Sequence, residues 1–310
     1  MASTSDRIQL LAICRVPDVK WNFVAREAQR RGLQLLLNGS TSEDSIEARQ
    51  TAAALSAATA SEKDRKDAVA EILAAAERDG IQLTTVLDDD YPANLRLIHN
   101  LPPFLFYRGQ LQPDDARSVA VVGTRGPTRD GLQRARRLAG DLAADGVTVL
   151  SGLARGIDTA AHEACLHKGG RTIAVLGSGL NHVYPPENAG LAELISRRGA
   201  VVSQFWPDRP PTRDSFPRRN VVMSGLGQGT VVIEASGTSG ARMQARFALE
   251  HGKKLFLLTS LVRERQWAKN YLKRGAIEVS DTADIVRLLS EPAAVEERAN
   301  RRLQLALTLD

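Results

Sequence analysis

The chain has 310 residues, 43% of them hydrophobic and 25% charged, with a net charge of +5 and two cysteines, Cys14 and Cys165. That length accommodates one large domain beside a small one, and the composition is that of an ordinary soluble globular protein. Two cysteines are too few for a disulfide framework or a cysteine metal site. No apolar run reaches the roughly 18 to 20 residues of a membrane span, and MASTSDRIQL lacks the basic-then-apolar order of a secretory leader. A cytoplasmic protein without membrane contact is expected.

Residues 1–82 are rich in Ala, Arg and Glu, with apolar residues at helical spacing (Ile8, Leu11 and Ala12; Ala68, Ile72, Leu73 and Ala76). They predict a small helical domain, SAM-like or similar, with a loop in the Ser/Thr/Ala-rich stretch 39–61. The pattern then changes. A short strand at 83–87, a DDDYP turn at 88–92 and an extended segment at 102–109 come first. Short, β-branched apolar runs follow at 118–122, 147–150, 172–176, 200–202, 230–233 and 254–258, as in strands buried on both faces. Helical patterns intervene at about 129–145, 157–168, 187–198, 217–226, 239–251 and 264–274. The alternation predicts an α/β fold over 83–289: an extended Rossmann-like, doubly wound, mostly parallel sheet. Residues 290–310 form a C-terminal tail, long enough for one more helix but not for a domain.

Ligands of open α/β sheets bind beyond the carboxyl ends of the strands. The segments expected there are Gly123-Thr124-Arg125, the run 151–156 with Ser151, Gly152 and Arg155, Gly177-Ser178-Gly179, Ser203-Gln204, and 234–240 ending in Ser239 and Gly240. Glycine lets an anion approach backbone N–H groups, the following helix N-terminus adds partial positive charge, and arginine supplies forked donors. Tight turns alone would explain one such loop, but five with arginine at several predict an anion site. Two basic runs add to this: 208–219, with four arginines against two aspartates, and 263–274, with five basic residues against Glu264.

Other chemistries find no support. There is no G-x-x-x-x-G-K-[ST] run, and Gly177-Ser178-Gly179 has His182 where a dinucleotide fingerprint needs its third glycine. His162 and His167 stand five apart, on different faces of a helix, where a zinc-protease pair stands four apart. Ser151 has no nucleophile-elbow sequence around it. No catalytic residue, metal or cofactor is expected.

The blocks VAVVGTR (119–125), SGLARGIDTAAH (151–162), GSGLNHVYPPEN (177–188), FPRRN (216–220) and EASGTSG (234–240) resemble, in order and spacing, the bacterial DNA-processing family called DprA or Smf. The resemblance covers about residues 83–288, with Tyr91-Pro92 and PPFLFYRG leading into it. It implies a dimeric, non-catalytic protein that binds single-stranded DNA without sequence preference and loads a RecA-type recombinase during natural transformation. It also implies a DNA pocket lined by Arg125, Arg213 and Phe216, with Arg218, Arg219 and Asn220 in the same block. An aromatic there offers a base a stacking platform, although on residues alone Phe216 is as readily core.

The chain departs from the family pattern at Gln204, Val221, Gln244-Ala245, Leu258-Thr259 and Trp267-Ala268-Lys269, and is expected to lack the family's C-terminal winged-helix domain. Two further readings stand beside the first. One is a regulatory or phage-defence paralogue that senses DNA or a nucleotide and controls a genetically linked partner protein. The other is a nucleotide phosphoribohydrolase, whose P-G-G-x-G-T-x-x-E run is not matched by Ser236-Gly237-Thr238 or by Ala241.

Overall fold

A computed structural model of the chain describes residues 2–31 and 33–308. One mixed sheet of nine strands forms its centre: β1 (Gln82–Thr85), β2 (Phe104–Gly109), β3 (Ser118–Val122), β4 (Thr148–Ser151), β5 (Thr172–Val175), β6 (Ala200–Ser203), β7 (Gly229–Val232), β8 (Lys254–Leu258) and β9 (Ile277–Val279). Their order across the sheet is β1-β2-β6-β5-β4-β3-β7-β8-β9. From β6 to β9 every pairing is parallel, while β1 and β2 add an antiparallel edge. The α/β, mostly parallel fold read from the sequence is the fold observed.

The parallel strands form where helices cover both faces of the sheet, so Val119, Val121 and Val122 are buried whichever way they point. Helix Arg129–Ala144 starts at Thr128, whose side chain accepts from the N–H of Gly131. Helix Ile157–His167 enters through Gly156 at φ 80, where a Cβ would lie 2.5 Å from the Thr124 carbonyl oxygen. Only glycine tolerates both the backbone and the approach.

Five helices precede the sheet: Thr4–Cys14, Trp21–Arg31, Gln34–Leu37, Ile46–Ser56 and Glu62–Arg78. They share one buried apolar core with the strands, Phe23 and Val24 joining Phe104 and Phe106. The Trp21 ring centroid is 5.0 Å from that of Phe104, and Arg7 donates to buried Asp88 at 2.7 Å.

Two sequence expectations need correction. The pattern at 264–274 is not one helix: Thr259–Glu264 and Gln266–Leu272 are separated by Arg265, extended at φ −123, ψ 117. β9 was not foreseen, its three residues being too few to show a period. The C-terminal helix is present as Pro292–Thr308. Among the described residues no helix is long and apolar enough to cross a membrane.

Candidate nucleic-acid interface

Strands β3 to β6 progress to one side of the sheet and β7 to β9 to the other, so β3 and β7, paired in parallel, flank the point where the order reverses. Such a switch point opens a crevice beyond the strands' carboxyl ends. A cavity of about 500 Å³ lies there, lined among others by Arg125, Arg213, Phe216, Asn220, Gly240 and Gln244.

The floor of this crevice is built from hydrogen bonds already made. Arg219, 7% exposed, donates from Nη1 to the carbonyls of Gly152 (2.6 Å) and Val175 (2.9 Å), and from Nε to Asn220 Oδ1 (2.9 Å). The Gly152 N–H is taken by Asp158 Oδ2 at 3.1 Å. Burial pushes the Asp158 carboxyl above its usual range, against the pull of the Arg219 charge. Ser151 Oγ is buried and donates to the Val121 carbonyl at 2.7 Å. Gly123 serves close packing: a Cβ there would meet the Ile157 side chain at 2.4 Å. Ser151, Gly152 and Arg219 thus hold the strand ends together, with Arg219 also bordering the cavity as its floor.

The rim differs. Arg125 and Arg213 are exposed, and neither has a hydrogen bond or carboxylate partner among the described residues. The Arg125 guanidinium carbon lies 5.7 Å from the Phe216 ring centroid. Phe216 is half-buried, seated over Gly177, where a Cβ would be 2.8 Å from the ring, and its centroid is 5.8 Å from that of exposed Tyr184. The structure therefore answers the question about Phe216: its ring borders the opening and is not enclosed in the core. Ser239 caps helix Gly240–Glu250 by accepting from the Arg242 N–H, and Gly240 has open space around it. That helix start contributes partial positive charge to the cavity.

Two predicted residues lie elsewhere or are engaged. Arg155 is exposed but paired with Glu187, beside a small annex bordered by Tyr184 and Phe216. Arg218 lies outside the crevice. At roughly 100° per residue, Arg218 and Val221 fall on the side of helix Ser215–Leu226 opposite Phe216, Asn220 and Met223. The Arg218 guanidinium carbon rests 5.0 Å from the Trp21 ring centroid and 5.1 Å from that of Phe205.

The sequence reading also missed Met223 as a crevice residue and Tyr184 as a residue of the annex. Tyr184 lay inside a quoted block, and Met223 is one helical turn beyond Asn220. No group of three or more His, Cys, Asp or Glu able to hold a metal exists among the described residues. His162 is fully buried, its Nδ1 2.7 Å from Thr172 Oγ1, and burial lowers its pKa to about 3.

A family model described as DNA recombination-mediator protein A matches residues 82–290. The chain belongs to that family. Protein Smf of Escherichia coli is 41% identical over 202 residues, 64% of this chain and 54% of that protein. DNA processing protein DprA of Streptococcus pneumoniae is 35% identical over 204 residues, 65% of this chain and 72% of that one. The X-ray structure of the pneumococcal DprA superposes with a TM-score of 0.73 at 28% identity, over 94% of this chain and 99% of that chain. A structure of DNA processing protein A from Helicobacter pylori, described for its single-stranded DNA binding mode, gives a TM-score of 0.59 at 28% identity, over 66% and 94%. The chain spans about half the length of the Smf proteins it matches, 50% and 54%. All nine strands fall inside the family match.

Proposed function

We propose that this chain binds single-stranded DNA without sequence preference in the switch-point crevice and, as a non-catalytic mediator, delivers it to a RecA-type recombinase in DNA uptake and recombination. One observation carries the reading: two exposed arginines with unspent donors flank a half-exposed phenylalanine over a crevice at the sheet's switch point. Arginines and a helix N-terminus hold phosphates, and the ring stacks a base of any identity. The Helicobacter pylori relative's single-stranded DNA binding supports the ligand. The recombinase partner and a homodimeric assembly rest on family membership. Residues 83–289 are proposed as the working domain, with the N-terminal helices and the tail from 290 as accessory parts.

Fluorescence anisotropy with labelled oligothymidylate at two salt concentrations tests this. Binding should weaken with salt, by a slope of about 0.7 per phosphate neutralised, and fall in Arg125→Ala and Arg213→Ala. Absent or salt-insensitive binding would refute it. Release of ribose phosphate from a nucleoside monophosphate would instead establish an enzyme.

A further inference from the structure

Helix Ser215–Leu226 has a second occupied face. Beyond Arg218 lies a separate cavity of about 600 Å³ between the N-terminal helices and the sheet. It is larger than the crevice and shares no lining residue with it. Three cations border it, Arg15, Lys20 and Arg218, against one carboxylate, Asp18. None of the three cationic groups has an ion-pair partner among the described residues. The Arg15 guanidinium carbon sits 5.5 Å from the Trp206 ring centroid, and Arg218 rests on Trp21. Stacking of this kind fixes a guanidinium in place without using its N–H donors. Those donors remain available to phosphate oxygens.

The same wall carries unmet polar groups. Gln204 is 7% exposed, borders the cavity, and its Nε2 has no acceptor. Asn100, also on the wall, has an Oδ1 with no donor. A buried amide left unpaired costs about 1–3 kcal/mol; both atoms are shielded from solvent and would meet a ligand only after their side chains turned into the cavity. Both indoles are only half-buried, which leaves ring surface for a flat ligand. Burial and the nearby Arg209 charge hold the Arg218 pKa below its usual value, a cost that an anion would relieve.

We infer that this cavity is a second nucleotide site, taking phosphate on Arg15, Lys20 and Arg218 and a nucleobase against the Trp21 and Trp206 indoles. The inference does not depend on the crevice reading. Its ligand is either a free nucleotide or one nucleotide of a strand, two sources of one chemistry.

Tryptophan fluorescence can read it, because two of the three tryptophans border the cavity and Trp267 does not. The full chain is titrated with dTMP and, separately, with oligothymidylate. Quenching by dTMP identifies a free-nucleotide site; quenching by the oligomer alone identifies a nucleotide held within a strand. In either case Arg218→Ala should weaken the response about tenfold, the scale of one lost hydrogen bond to a charged group. Lys20→Glu should weaken it too and serves if Arg218→Ala does not fold. Trp206→Phe should keep binding while reducing the signal, and Arg125→Ala should leave the dTMP response unchanged. No quenching by either probe, or unchanged affinity in Arg218→Ala and Lys20→Glu, overturns the site.

Discussion

The floor and the rim of the switch-point crevice use the same side chain for opposite ends. Arg219, on the floor, is enclosed and donates to Gly152, Val175 and Asn220. Arg125 and Arg213, on the rim, are exposed and donate to nothing among the described residues. The difference shows that an arginine in a ligand-binding block is assigned by counting its donors. Spent donors mean that the residue holds the protein together; unspent ones mean that it is available to an anion.

The largest effect expected from this contrast is on folding. Arg219→Met leaves three buried acceptors without a donor and Asp158 without its cationic neighbour, so it should cost about 3–5 kcal/mol. Urea unfolding measures it. If Arg219→Met folds normally and loses only DNA binding, the floor belongs with the rim. Next come the rim arginines. Arg125→Ala and Arg213→Ala should change stability by no more than about 0.5 kcal/mol, weaken oligothymidylate binding about tenfold each and lower the salt slope by about 0.7 each. A drop in melting temperature as large as that of Arg219→Met would erase the distinction.

Phe216 stands between the two, half-buried and in contact with both cations, its centroid 5.7 Å from Arg125 and 6.0 Å from Arg219. Phe216→Ala should lose about 1–3 kcal/mol of binding and less stability than the roughly 3–5 kcal/mol of a fully buried phenylalanine. Phe216→Trp should keep binding. Equal loss of binding in both variants would remove stacking from the account.

Much of this could be read from the chain, for a physical reason. Parallel strands buried on both faces write continuous β-branched runs, and the loops that follow them are found by position alone. β9 left no such mark, and Arg265 gives no sequence signal for the break it makes in the basic stretch 263–274. Within FPRRN the linear block concealed a division that helical geometry makes: Phe216 and Asn220 face one cavity, Arg218 the other. The second cavity was illegible, because Arg15, Lys20, Asn100, Gln204 and Arg218 come from four distant segments that only tertiary packing joins. Gln204 was noticed only as a departure from the family pattern.

The smallest effect separates floor from rim by pH. His162 packs behind the floor, with its Nδ1 on Thr172 and its Nε2 unpartnered, and both burial and the Arg219 charge disfavour the imidazolium. Its folded pKa is lowered from 6.5 to about 3, so below pH 6.5 the unfolded chain takes up a proton that the folded chain refuses. The stability this provides is fully present above the unfolded pKa and declines as pH falls from there, by about 1 kcal/mol at pH 5.5. The lowered carboxylates Glu47 and Asp88 titrate below that window, and His251, lowered to about 4, adds a contribution of the same sign. His162→Gln should therefore flatten, without abolishing, the fall in melting temperature between pH 7 and 5.5. The crevice lining contains no histidine, and its one carboxyl, Asp158, is raised by burial and loses negative charge as pH falls, so oligothymidylate affinity of the folded protein should hold or rise over the same range. An affinity that fell in step with stability would mean that the floor moves when DNA binds.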